Sequence, residues 1–290
     1  MDWIYIGNFI QASVRAATPL VFGSLGVVIA ERSGTRHISN EGTMLLAALT
    51  GVIGTKYFGN MAFGVLFSLV IGAVCGLILA IMMIWLPSNQ TIVGIGFNMT
   101  MVGVTSYILR LGGDMLRSPV PAPAVKVLRF SLFDVFAIAS ALLVWFFLFR
   151  TGPGLKLRSV GENAMAADAA GINVIKTRTI AMVIACMFSS LGGMALSLSW
   201  VHVFTDNLTM GRGFIAMAAV YFGKWNPLLT TLAAFMFGGA EALALRSQAL
   251  SATISSYYFL MIPYVLTLIV VAISGRMKGP QDTGKSYIRQ

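Results

Sequence analysis

Long apolar runs broken by short polar stretches fill most of the chain, and most runs have the length of a bilayer-crossing helix, about 20 residues. Trp3 to Val14 is too short to span a core of roughly 30 Å and reads as an interfacial stretch anchored by Trp3 and Tyr5. The pattern then predicts a crossing from Arg15 to Ala30, a polar run from Glu31 to Gly42, and a short apolar helix from Gly42 to Gly54. Crossings follow from Met61 to Trp85, Thr91 to Leu109 and Leu132 to Phe149, with a proline-bearing loop from Arg110 to Phe130 before the last of these. Beyond a long polar interruption come a crossing from Thr179 to Trp200, a polar segment from Val201 to Gly213 and a short helix from Phe214 to Phe222. Crossings from Leu228 to Leu245 and from Tyr257 to Ile273 complete the series. The expectation is an all-α polytopic membrane protein with about nine crossings, two of them short and interrupted.

The interruption itself, Arg150 to Arg178, holds a self-contained short helix. Asn163 can cap its first turn, alanines carry its middle and Gly171 supplies a left-handed stop. At roughly two turns such a helix is marginal alone, which points to docking on another protein surface. Its flanks carry Arg150, Lys156, Arg158, Lys176 and Arg178 against Glu162 and Asp168, a bias that places it in the cytoplasm. The tail, with Arg276, Lys278, Lys285 and Arg289, agrees. Arg110, Arg117, Lys126 and Arg129 oppose it, because counting crossings puts their loop outside.

A weak repeat relates the two sides. Phe22-Gly23-Ser24-Leu25-Gly26 recurs as Phe188-Ser189-Ser190-Leu191-Gly192. In both halves a polar stretch, a charged residue with glycine (Glu41-Gly42; Arg212-Gly213), a short helix and an asparagine (Asn60; Asn226) follow in that order. The unmatched crossing from Leu132 to Phe149 turns the second copy over. One transmembrane domain, 1–290, is therefore expected as a first repeat 15–110, a coupling loop 151–176, an inverted repeat 179–274 and a cytoplasmic tail 275–290.

Composition narrows the class. A hydrophobic share of 57% with only 10% charged residues excludes an ordinary soluble domain, so burial must be against lipid as well as protein. Thirty glycines and seventeen methionines suit close helix crossings and irregular gaps. The net charge of +10 sits in short loops and the tail, where it sets orientation rather than binding nucleic acid. Cys75 and Cys186 lie in apolar runs without metal-ligand spacing, and MDWIYIG shows no removable signal peptide. With two histidines far apart and no nucleophile-base pair, no catalytic residue, metal or cofactor is expected on the chain. Gly279 to Ser286 matches the phosphate-loop pattern, but that loop needs a strand before it and a helix after it, and neither is expected here.

Interrupted helices leave backbone donors and a positive dipole end inside the bundle, so the candidate substrate route gathers there. Gly42 and Gly213 allow close approach, Asn40, Glu41, Asn98, Asn207 and Arg212 offer hydrogen bonds, and Phe97 and Trp200 offer flat surfaces for a ring. The competing reading of each is helix glue. Glu241 and Arg246 are expected to pair with each other or with loop groups. An ion-coupled secondary transporter, the alternative function, would need a titrating buried carboxylate, for which Glu241 is the candidate.

Four stretches carry a family resemblance: Glu31-Arg32-Ser33-Gly34 with Glu41-Gly42; Val160-Gly161-Glu162-Asn163 through Ala167-Asp168 to Ala170-Gly171-Ile172-Asn173; Gly211 to Ala216; and Phe222 to Pro227. With these the chain resembles the permease subunits of bacterial ABC importers for branched-chain amino acids, ribose and nucleosides, in particular the shorter permease of nucleoside and simple-sugar systems. The resemblance implies a multi-pass inner-membrane subunit of an importer. It implies three partners: an ABC ATPase that holds ATP and Mg, a second and longer permease, and a periplasmic or lipid-anchored substrate-binding protein. Gly161, Glu162, Asn163, Met165, Ala167, Asp168 and Gly171 would form the coupling surface. One run departs from the family pattern, Thr35-Arg36-His37-Ile38-Ser39-Asn40, where the family has an apolar stretch with asparagine and glycine.

Overall fold

The computed structural model describes residues 3–86, 88–120, 126–127, 130–250 and 279–287, with isolated positions 261, 265, 268 and 272. The chain folds as α1 (Trp3–Arg32), α2 (Asn40–Phe58), α3 (Met61–Ala80), α4 (Gln90–Leu111) and α5 (Gly113–Arg117). Two short strands, β1 (Lys126–Val127) and β2 (Phe130–Ser131), pair antiparallel. Then come α6 (Leu132–Arg150), α7 (Gly152–Glu162), α8 (Ala164–Ala169), α9 (Val174–Met194), α10 (Arg212–Phe222) and α11 (Pro227–Leu250). Single π-helical turns, Ile81–Trp85 and Ala195–Trp200, prolong α3 and α9.

Six helices among the described residues are long and apolar enough to cross a membrane: α1, α3 with its π turn, α4, α6, α9 with its π turn, and α11. The higher count expected from the sequence differs for physical reasons. α10 has eleven residues, too few to span, and α2 is buried on nearly every side rather than turned to lipid. The expected crossing from Tyr257 to Ile273 falls almost wholly outside the described residues. The interfacial stretch expected at Trp3 to Val14 is instead the start of α1, which runs unbroken through Pro19 to Arg32. The loop expected from Arg110 to Phe130 contains α5, and Lys56 at the end of α2 donates to the carbonyls of Met115 and Ser118 in that segment.

α1 and α9 cross at the centre, and the two motifs of the sequence repeat meet there. A Cβ on Gly26 would lie 2.5 Å from the Ala185 carbonyl oxygen, and one on Gly192 would lie 2.8 Å from that of Pro19. α1 packs most broadly on α11 and α9, while α9 packs on α1, α3 and α2. The core they enclose is dense with Leu20, Phe22, Leu25, Leu45, Leu49, Leu196 and Leu198. Asn60 caps α3 by accepting from Ala62 N at 2.9 Å, and Asn226 does the same for Leu228 N at 3.0 Å, so the paired asparagines do equivalent work.

The ends of the helices define two faces. At one lie the end of α1, α7, α8, the start of α9, Trp225 and the tail 279–287; at the other lie α5, the β1–β2 pair and the polar segment after α9. Asp134 fixes α6 on the latter side, completing a capping box with Ser131 and accepting from Thr18 Oγ1 at 2.7 Å.

Candidate functional site

α2 and α10 both begin inside the bundle, and their first turns face each other. Each exposes backbone N–H groups that no helical carbonyl can reach, and each carries a positive dipole end. Glu41 meets this need at α10. Its carboxylate, 6% exposed, accepts from Thr209 Oγ1 at 2.6 Å, Gly211 N at 2.9 Å and Gly213 N at 2.6 Å. Asn98, from α4, does the same for α2: its Oδ1 accepts from Gly42 N at 2.8 Å and its Nδ2 donates to Ile38 O at 3.0 Å. Asn40 closes the ring, donating to Gly213 O at 2.9 Å and accepting from Ser189 Oγ at 2.6 Å. Packing leaves no slack, since a Cβ on Gly213 would lie 2.6 Å from Glu41 Cα and one on Gly42 would lie 2.9 Å from Asn98 Oδ1.

The unusual run Thr35 to Asn40 belongs to this lock. His37 is fully buried between Ser39 and Ser189. Because Ser189 gives its proton to Asn40, it accepts from His37 Nε2–H at 3.0 Å, which leaves Nδ1 to accept from Ser39 Oγ at 3.1 Å. The loop thus binds α9 through a neutral imidazole.

Of the nine residues expected along the route, the structure gathers Asn40, Glu41, Gly42, Asn98 and Gly213 into the lock, with their polar atoms engaged to protein. The others stand apart. Phe97 packs against an apolar cluster drawn from the ends of α1 and α3 and from α9. Asn207 is exposed in the segment before α10 with φ of 52°. Arg212, the first residue of α10, stacks 5.1 Å above the Trp200 ring and pairs with Glu241. Trp200 also lines a cleft of about 420 Å³ with Arg15, Arg246, Asn8 and Gln11 at the far face.

At the opposite face α7 and α8 form one compact unit. The sequence suggested a single helix; the segment before Asn163 is helical too, capped by Thr151 with Pro153 in its first turn. Asn163 accepts from Ala166 N at 2.9 Å, and Gly171 adopts φ of 82°, as their spacing predicts. Ala164 and Ala167 turn inward against Val160, Val174, Ile172 and Tyr287. Of the seven expected coupling residues, Glu162, Asn163, Met165 and Gly171 are exposed, Met165 at 64%. Asp168 is half-buried beside a cleft of about 440 Å³ that also touches Trp85, Lys176 and Tyr287. Gly161 and Ala167 are buried, and a Cβ on Gly161 would collide with the Arg32 carbonyl, so these two fix the unit to the bundle.

The contacts of three further stretches named in the sequence were not legible there. Glu31 is buried where it accepts from Trp225 Nε1 at 2.6 Å and from Tyr221 Oη at 3.4 Å. Arg178, though charged, is 2% exposed, donating from Nε to Ser33 O and from Nη1 to Lys285 O. The phosphate-loop look-alike is a turn whose amides are taken: Asp282 N donates to Gly161 O, Thr283 N to Pro280 O, Gly284 N to Gly34 O and Lys285 N to Asp282 O, while Lys285 Nζ donates to the Asp282 carboxylate. A phosphate would find no free cradle in those donors.

The chain is thus a bundle of helices long and apolar enough to cross a membrane, built around two half-helices that start inside it, with a compact helical unit on one face. Comparison with known proteins gives the family. The family described as branched-chain amino acid transport system / permease component matches residues 9–271. The chain is 36% identical along its whole length to the guanosine ABC transporter permease protein NupQ of Bacillus subtilis, covering 99% of that protein. It is 34% identical over 85% of its length to 80% of the putative glucose ABC transporter permease protein TsgC13 of Haloferax volcanii. Against the nucleoside ABC transporter permease protein NupC of Lactococcus lactis it is 32% identical over 94% of each chain. No solved structure matches. The chain belongs to this permease family; it is an ABC transporter permease, integral to the inner membrane.

Proposed function

We infer that the chain is one half of the membrane pore of an ATP-driven importer for nucleosides, with simple sugars the second class of solute. The observation that carries this is the likeness, along the entire chain, to permeases named for guanosine and nucleosides. A separate ATPase holding ATP and Mg works it from the cytoplasm, seating on the exposed side of α8; a second, longer permease and a periplasmic or lipid-anchored binding protein complete the assembly. The basic character of the α7–α8 face, with Lys156, Arg158, Lys176 and Lys224 beside it, supports its cytoplasmic placement. Two inverted repeats are the reading favoured by the shared roles of Asn60 and Asn226, and by the packing of Gly26 on Ala185 and Ser189 and of Gly192 on Pro19 and Gly23 where α1 crosses α9.

The ion-coupled alternative needs a buried carboxylate free to exchange protons. Among the described residues Glu31, Glu41 and Asp134 are each hydrogen-bonded, and Glu241 is ion-paired to Arg212. The deciding measurement is uptake of labelled guanosine, and of labelled glucose in parallel, by cells carrying the complete importer. Uptake should stop when the ATPase is inactivated and survive an uncoupler that leaves ATP intact. The reverse result would establish the ion-coupled reading.

A further inference from the structure

The tail from 279 to 287 touches α7, α8, the end of α1, the start of α9 and the loops beside α2 and α10. α8 has six residues and buries only two alanines, so it cannot hold its own position. Asp282 holds it: one carboxylate oxygen accepts from Ala164 N at 2.7 Å, at the start of α8, while the Asp282 amide donates to Gly161 O at 3.0 Å, at the end of α7. Tyr287 packs under α8 with Val160 and Val174.

From there the contacts run into the bundle. Thr283 Oγ1 donates to Glu31 O at 3.3 Å and Gly284 N to Gly34 O at 3.0 Å, gripping the loop that leads to Asn40 and Glu41. Lys285 O accepts from Arg178, whose Nε holds Ser33 O in the same loop at 3.1 Å. Gly34 takes a left-handed turn, φ 89°, and a Cβ there would lie 2.6 Å from the Arg178 guanidinium, so both backbone and space call for glycine. At its other end the tail lies on the loop after α10: a Cβ on Gly279 would be 2.6 Å from the Trp225 ring, and that ring is bonded to Glu31.

We propose that residues 279–287 are a transmission strap, with Asp282 as the residue that positions α8, so that movement of α8 is carried to the inner starts of α2 and α10 as one body. This rests on the coupling role inferred for α8. The strap adds a second attachment beside the direct one of Gly161 on Arg32. It connects α8 to both half-helices at once, through the Ser33–Gly34 loop and through Trp225.

The test uses the complete importer in proteoliposomes, with solute uptake and ATP hydrolysis measured together. Asp282→Ala should lower uptake about tenfold, the scale of one charge-assisted hydrogen bond lost, while hydrolysis continues, so that more ATP is consumed per solute. Asp282→Asn keeps an acceptor oxygen for Ala164 N and should restore most of the coupling. If Asp282→Ala lowers both rates only in step with the amount of protein inserted, or changes neither, the strap has no transmitting role. Met165→Asp separates the two readings. If it leaves uptake intact, the coupling role of α8 falls and the strap with it; if it abolishes uptake while Asp282→Ala does not, the strap alone is refuted.

Discussion

Glu41 stands for how single residues behave in this protein. A carboxylate removed from water is costly unless donors surround it, and here three donors and a helix dipole do so. Glu41→Gln keeps the shape, turns one acceptor into a donor aimed at other donors, and should destabilise the protein by about 1–3 kcal/mol. Thermal unfolding of the detergent-solubilised protein would show it as a lower midpoint; an unchanged midpoint would mean the charge is not needed there. Asp282 behaves differently because it sits outside the bundle. Burial pushes its carboxyl pKa upward, but the Ala164 amide, Lys285 and Arg178 outweigh that and hold it below the usual carboxylate range. A lowered folded-state value means that its hold on α8 is complete above the free value of about 3.9 and fades as acid protonates it below that. Protease access to the tail should therefore stay flat across neutral and mildly acidic pH and rise only in stronger acid, a rise that Asp282→Ala would show at every pH.

At the level of elements, the chain declared its long crossings plainly, since Met61 to Trp85 and Leu132 to Phe149 are uniform apolar runs whose ends the structure keeps within about two residues. It also declared the ends of α8, because Asn163 and Gly171 are local chemistry. What it concealed were features made by neighbours: the helical state of Gly152 to Glu162, whose inward side is Leu157, Val160 and Gly161, and the uninterrupted course of α1 through Pro19. The polar cluster at the inner helix starts was half legible. Periodicity located the two inner helix starts, but only the fold revealed that Asn98, Ser189 and Thr209 from distant elements would consume their polar atoms. For α8 the structure separates the exposed Met165 from the buried Ala167. Met165→Asp, or Asp168→Lys, should leave the protein in the membrane and lower uptake at least tenfold, because each changes the surface proposed to meet the ATPase. Normal uptake at normal expression would remove α8 from the coupling role. Gly161→Ala belongs to another category, since its added methyl meets the Arg32 carbonyl, and lower protein levels are the expected readout.

For the whole molecule, the two faces are built from different parts of the chain. One gathers α7, α8 and the tail; the other presents the Trp200 and Arg246 cleft beside the Arg212–Glu241 pair. Between them the central knot of Glu41, Asn40 and Asn98 is knit so closely that added methyls on Gly42 or Gly213 would strike their neighbours. A plug of that kind cannot open locally without stripping two helix beginnings of their partners at once. A lone copy should therefore be watertight: vesicles filled with a small fluorescent dye and carrying this chain by itself should hold their contents as long as bare lipid does. Leakage from such vesicles would mean that the knot comes undone unaided.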